Sequence, residues 1–170
     1  MIKDGQILKL PNSDKSKGEM EPVKIQEPVK NNGKQSGTQQ AQLLIEDAKK
    51  YIGAKYKWGA TLTEAPKAFD CSSYTQYVFG NVGIQIPRVS RDQAEKGNSI
   101  SVSQLKAGDL MFFTMNDTYT DGRVAHVGIY MGDGQMIHAS TSKGVMITTN
   151  VLQNPYWSKN YLFSKRLISM

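Results

Sequence analysis

The chain holds one cysteine and two histidines, Cys71, His126 and His138. Together they are enough for nucleophilic catalysis. A thiolate attacks a carbonyl carbon, an imidazole takes and returns its proton, and a second polar group orients the first ring. Asp70 precedes Cys71, and Ser72 and Ser73 follow it, a polar string that opens a predicted helix. At a helix start, free backbone N–H groups and the positive end of the helix dipole stabilise a thiolate. The same N–H groups suit the oxyanion formed on attack. The competing reading is a buried structural cysteine, the commoner fate of a lone one; the polar neighbours argue against it.

The histidines lie in the segment from Ala125 to Ser140. Its odd positions are Ala125, Val127, Ile129, Met131, then Gln135, Ile137 and Ala139, nearly all apolar, and its even positions are His126, Gly128, Tyr130, then Met136, His138 and Ser140. Two strands with the odd face turned to the core would put both histidines on the other face. Turn length decides whether this holds across the pair. A two-residue turn at Asp133-Gly134 pairs residues of opposite parity and separates the histidines. A three-residue loop, Gly132-Asp133-Gly134, sets His126 opposite Ser140 and Gly128 opposite His138, and Gly134 suits its left-handed position. The three-residue loop is the expectation, with the histidines as diagonal neighbours about 7 Å apart. The alternative is a pair of solvated strand residues.

The elements that must hold these groups are legible in outline. Ala41, Leu44, Ile45, Ala48 and Ile52 recur at helical spacing, with Gly53 as a stop. A second helix opens at Asp70-Cys71, carries Tyr74, Tyr77 and Val78 on one face, and closes at Gly80-Asn81. Ser90 and Gln93 form an expected capping box for a short third helix ending at Gly97. The period then drops to about 2. Leu110 to Thr114, Val124 to Met131, Gln135 to Ala139, Val145 to Thr149 and Tyr161 to Leu167 read as strands. Helices followed by strands predict an α+β domain, its N-terminal helices packed on a mostly antiparallel sheet.

Composition narrows the partners. The 170 residues, 39% hydrophobic and 21% charged, suit one domain with something appended. No apolar run reaches the length of a membrane span, so no membrane insertion is expected. The opening MIKDGQILKL has no apolar h-region, so no signal peptide is expected there. One cysteine excludes an internal disulfide and a cysteine-built metal site, and no metal is expected. The net charge of +6 favours anionic partners. No basic stripe with interleaved aromatics appears, which argues against nucleic acid. Pro11 to Gln40 is poor in large apolar residues and reads as a flexible linker.

Six strings occur in order: Y-K-W-G (Tyr56 to Gly59), F-D-C-S-S (Phe69 to Ser73), P-R-V-S-x-x-Q (Pro87 to Gln93), L-K-A-G-D-L-M-F-F (Leu105 to Phe113), H-V-G-I-Y (His126 to Tyr130) and I-H-A-S (Ile137 to Ser140). Over about Gln40 to Leu167 the chain resembles the NlpC-type cysteine peptidases, papain-like bacterial cell-wall hydrolases. The resemblance implies Cys71 as nucleophile, His126 as general base and acid, and His138 as the residue orienting His126. It implies Tyr56 beside the cysteine, helping to hold the tetrahedral intermediate; a core aromatic is the alternative. Asp70 and Ser72 match positions that receive a free N-terminal L-Ala amine in some members, and Asp70 also suits a helix N-cap. Arg88 matches an arginine that either touches a substrate carboxylate or makes a structural ion pair. Gly108 and Asp109 are expected only to make the turn into a strand. Ile2 to Pro11 resembles the last strand and exit of a lysin motif (LysM), with a frayed polar leader as the alternative.

The resemblance thus implies a peptidase domain over 38–170, after a linker with a lysin-motif remnant over 1–37. It implies a peptidoglycan endopeptidase cutting stem peptides between γ-D-glutamate and the next diamino acid through a thioester. No cofactor is needed, and a monomer at the extracellular bacterial wall is expected. An amidase or acyltransferase on the same triad, or an idle wall-binding module, are the other classes.

Overall fold

The computed structural model describes residues 36–170. The lysin-motif resemblance and the linker reading up to residue 35 lie outside the described residues. Helix α1 (Gly37–Lys49) starts where Ser36 accepts a hydrogen bond from the Gln39 amide, so residues 37–40, read as linker, form its first turn. Ala41, Leu44, Ile45 and Ala48 make its buried stripe. Ile52, expected on that stripe, falls beyond the helix and is 50% exposed. Helix α2 (Cys71–Asn81) buries Tyr74, Val78 and Phe79. The Tyr74 hydroxyl donates to the Ala48 carbonyl at 2.8 Å, joining the two helices.

The short ribbon β1 (Lys55–Tyr56) and β2 (Ala68–Phe69), invisible in the hydrophobic pattern, pairs in parallel. The chain just before it clips to the main sheet: the Gly53 amide donates to the Val145 carbonyl at 2.9 Å, and the Val145 amide to Ala54 at 3.0 Å. Helix α3 is only Ser90–Gln93, shorter than expected and without the capping box. Its N-cap is Val89, so Ser90 lies inside the helix. Gln93 is buried instead, donating to the carbonyls of Ser72 (2.9 Å) and Pro87 (2.8 Å) and accepting from the Thr75 hydroxyl (2.7 Å). A buried amide must find such partners, and these outcompete a solvated cap.

The remaining strands are β3 (Asn98–Ile100), β4 (Leu110–Phe113), β5 (His126–Gly132), β6 (Gln135–Ser140), β7 (Gly144–Thr148) and β8 (Tyr161–Arg166). They form one sheet in the order β3-β8-β4-β5-β6-β7, every pairing antiparallel. The α+β expectation holds. Asp109 does more than make a turn: it is fully buried, and Arg166 bonds its two oxygens at 2.7 and 2.8 Å, locking the start of β4 to β8. Among the described residues no helix is long and apolar enough to cross a membrane.

Alternation sorts the sheet's two faces. Leu110, Phe112, Val127, Ile129, Ile137 and Ala139 join the helices in the main core. Met111, Phe113, Met136 and Val151 form a second core on the other face, roofed by Trp157 from α4 (Pro155–Asn160), a helix the sequence reading did not include. Both histidines occupy this second face and are buried, His126 at 3% and His138 at 1% exposure. The solvated alternative is therefore overturned.

The hairpin keeps the expected register by another route. Ile129 faces Ile137 and Tyr130 faces Met136, as the three-residue loop would give. Gly132, however, pairs with Gln135 around a two-residue turn, and the register shifts between Tyr130 and Gly132. Asp133 (φ 52°) and Gly134 (φ 74°) both take positive φ, as the tight turn that matches strand twist requires. The bulge restores parity. In this register a side chain at Gly128 has no room: a Cβ there would lie 2.6 Å from Met136 Cγ and 3.1 Å from His138 Cβ. Gly128→Ala is expected to lower unfolding stability by about 1–3 kcal/mol through overpacking, measured as a fall in the urea midpoint. An unchanged midpoint would show that Met136 yields freely.

Candidate active site

Cys71 is the first residue of α2, and the helix start is fixed by its neighbour. Asp70 is the N-cap: its Oδ1 accepts from the Ser73 amide at 2.8 Å, and its own amide donates to Ser73 Oγ at 2.9 Å. The N-cap reading of Asp70 is realised. Its carboxylate also accepts from Arg88 Nη2 (2.6 Å), the Gly59 amide (3.2 Å) and Ser72 Oγ (3.4 Å). Arg88 further donates to Ser72 Oγ at 2.8 Å and to the Ala60 carbonyl at 2.6 Å. Of the two readings of Arg88, the structure shows the ion pair.

The thiol lies against the two peptide units that flank His126. Cys71 Sγ donates to the Ala125 carbonyl at 4.0 Å, and the amides of Val127 and Ser72 point at the sulfur. Across the hairpin, His126 Nε2 and His138 Nδ1 are 2.9 Å apart. His138 Nε2 in turn reaches Thr148 Oγ1 on β7 at 2.8 Å. Trp157 packs against both rings, with centroids 5.3 Å from His126 and 5.0 Å from His138. Neither Thr148 nor Trp157 was found from sequence. A hydroxyl in a strand and an aromatic in an unrecognised helix carry no local signal of such contacts.

Electrostatics set the resting state. Burial, followed by the Asp70 charge, pushes the Cys71 thiol up to about 11. The Val127 and Ser72 amides and the Arg88 charge pull the other way but do not win. Thiolate stabilisation at the helix start, expected from sequence, is thus present but outweighed by burial. Burial alone pulls His126 down to about 4, and burial with the His126 charge holds His138 well below the usual histidine range. At neutral pH the pair is thiol and neutral imidazole. With Nε2 committed to His138, Nδ1 is the His126 nitrogen left to take a proton.

Cys71, Tyr56, Asp70, Ser72 and Arg88 line one cleft of about 290 Å³. His126 lines a second, of about 250 Å³. Tyr56 is half-buried, and burial, then the Cys71 and Asp70 charges, push its hydroxyl up to about 12. It therefore stays a hydrogen-bond donor. Trp58, from the same motif, is 77% exposed at the cleft rim. Among the described residues no group of three His, Cys, Asp or Glu side chains is placed to hold a metal ion.

Comparison with known proteins agrees with this architecture. The model of the NlpC/P60 family matches residues 53–166. The chain is 39% identical over 128 residues to the gamma-DL-glutamyl hydrolase of Bacillus subtilis, covering 75% of this chain and 30% of that protein. It is 41% identical over 127 residues to the murein DD-endopeptidase MepS/murein LD-carboxypeptidase of Escherichia coli, covering 74% and 62%. The chain thus spans under two thirds of either relative. An NlpC/P60 family protein from Bacillus cereus superposes with a TM-score of 0.68 at 34% identity, over 76% of this chain and 40% of that one. The NlpC/p60 domain of the peptidoglycan hydrolase SagA does so with 0.60 at 36% identity, over 76% of this chain and 98% of that one. The chain therefore belongs to the NlpC/P60 family.

Proposed function

We propose that residues 38–170 form a cysteine endopeptidase acting at the bacterial cell wall, on peptidoglycan stem peptides, at the bond between γ-D-glutamate and the following diamino acid. The observation that carries this reading is the packing of Cys71 Sγ on the peptide units either side of His126, with His126 tied through its far nitrogen to His138. The names of the relatives support the substrate class, and the Bacillus subtilis relative supports the bond.

In this mechanism His126 Nδ1 takes the thiol proton as sulfur attacks the amide carbonyl. The Cys71 amide, in the first helical turn where N–H groups have no helical acceptor, and the Tyr56 hydroxyl hold the oxyanion. His126 gives its proton to the leaving amine, and water, deprotonated by the same ring, hydrolyses the thioester. Because sulfur and imidazole rest uncharged, the proton moves as the sulfur attacks the carbonyl carbon rather than before it. Asp70 and Ser72 face the acyl side of the substrate, held there by Arg88.

Thr148 sets the tautomer in this scheme. When its hydroxyl accepts from His138 Nε2–H, His138 Nδ1 accepts from His126 Nε2–H, and His126 Nδ1 is left with a free lone pair. Reversing both bonds puts a proton on His126 Nδ1 and blocks the base.

Three outcomes are expected. Mass spectrometry of defined muropeptides should show cleavage after γ-D-glutamate by the wild type and roughly 10⁴-fold or greater loss with Cys71→Ala; cleavage at another bond, or none, would overturn the assignment. Protonation of His126 removes the base, so activity falls with pH through the value of that group in the fold. The acid limb of kcat/KM should therefore lie well below pH 6.5, toward about 4; a limb between 6 and 7 would contradict the buried neutral pair. Thr148→Val should lower kcat about two- to ten-fold with little change in KM, and Thr148→Ser should restore it. Equal rates for the two variants would remove Thr148 from the scheme.

A further inference from the structure

The nucleophile and the base open onto different clefts, and this gives the site a direction. In amide cleavage the carbonyl carbon bonds to sulfur while the nitrogen takes its proton from the imidazole. The acyl half of the substrate therefore lies in the cleft of Cys71, and the amine half in the cleft of His126.

The two clefts differ in charge. The Cys71 cleft is lined by Arg88, Arg91 and Arg123, with Asp70 as its acid. Arg88 is bound to Asp70 at 2.6 Å, and Arg123 to Asp121 at 2.6 Å. In the His126 cleft, lined also by Ser140, Ser142, Tyr156 and Trp157, Asp117 supplies the one carboxyl side chain of the lining. The sign of the charge thus changes across the scissile bond. A γ-D-glutamyl–diamino acid bond has the matching polarity: a free α-carboxylate on the acyl residue and a side-chain ammonium on the leaving one.

The loop carrying Asp117 is built in. The Asn116 amide donates to Asn160 Oδ1 at 3.1 Å, and the Thr114 amide to the Asn160 carbonyl at 2.8 Å. Asn160 is buried, and its Nδ2 donates to the Tyr156 carbonyl at 2.8 Å. One side chain thereby ties the loop to the helix that supplies Tyr156 and Trp157. Asp117 is close enough that its charge, after burial, raises the Tyr156 hydroxyl pKa.

We propose that the His126 cleft is the leaving-group subsite, and that Asp117 selects a leaving amino acid bearing a side-chain ammonium. This rests on the endopeptidase reading above. Lysine and diaminopimelate share the ammonium; diaminopimelate adds a carboxylate on the same carbon.

The test compares kcat/KM for L-Ala-γ-D-Glu-X-D-Ala, where X is lysine, diaminopimelate or norleucine, in wild type, Asp117→Asn and Asp117→Lys. Rates are read as ratios within each variant, so differences in folding or active fraction cancel. Wild type should prefer lysine to norleucine by about two- to five-fold, the range of an exposed ion pair. Asp117→Asn should abolish the preference and Asp117→Lys invert it. Diaminopimelate showing the same Asp117 dependence assigns recognition to the shared ammonium, and dependence with lysine alone assigns the subsite to lysine stems. A lysine-to-norleucine ratio unchanged in Asp117→Asn overturns the subsite while leaving the endopeptidase standing. No cleavage of any peptide by the wild type defeats the endopeptidase reading, and the subsite with it.

Discussion

The hydrogen bond between His126 Nε2 and His138 Nδ1, 2.9 Å long, is the contact on which the geometry of the site depends. It needs two residues twelve positions apart to share one face of a hairpin, and a slip of one residue would send one histidine into the main core. Three local features prevent the slip. The tight turn at Asp133-Gly134 fixes the end of the hairpin, the bulge after Tyr130 restores parity, and Gly128 leaves the space that Met136 and His138 Cβ fill. β6 is paired on its other side with β7, so Thr148, opposite Met136, reaches the far nitrogen of His138. The geometry of the paired rings is a consequence of strand register.

Burial then decides the charge state. The same packing that aligns the histidines sets Phe113 against His126 and Trp157 against both rings, and an imidazolium in such surroundings lacks solvation. The His126 pKa, depressed to about 4, therefore has a structural side. As pH falls below the ordinary histidine value the unfolded chain takes up its proton first, so stability contributed by neutral His126 is lost progressively until the folded form also protonates. Above that window the contribution is fully present. Alignment of the rings and tolerance of acid are thus opposed, and the fold at neutral pH keeps both rings uncharged.

Residues whose signal is local and periodic were legible in the sequence. The stripe of Ala41, Leu44, Ile45 and Ala48, the Asp70–Ser73 helix start and the odd-even alternation of the hairpin each follow from a short-range rule. What stayed hidden depends on partners distant in sequence. Gln93 looked like half of a capping box because spacing alone cannot show that its side chain is buried under Ser72 and Pro87. The β1–β2 ribbon is two residues long on each side, too short for a hydrophobic period. Helix α4 is announced only by Asn154 and Pro155, and its Trp157 gains meaning only when it meets rings from β4, β5 and β6. Turn length is not legible from parity, because the bulge after Tyr130 and an extra loop residue have the same effect on it.

Asp70 couples a structural device to the electrostatics of the thiol. As an N-cap it satisfies the Ser73 amide and so fixes where α2 begins, which places Cys71 in the first turn. Its negative charge, adjacent to that thiol, opposes ionisation of the sulfur. A neutral cap such as serine would form the helix without this cost. The carboxylate also holds Arg88, whose guanidinium reaches Ser72 and the Ala60 carbonyl and whose charge partly offsets its effect on the sulfur. The arginine thus closes one wall of the Cys71 cleft through the residue that starts the helix. Replacing the carboxylate would ease ionisation of the thiol and at the same time release that wall, so the two roles of Asp70 cannot be optimised separately.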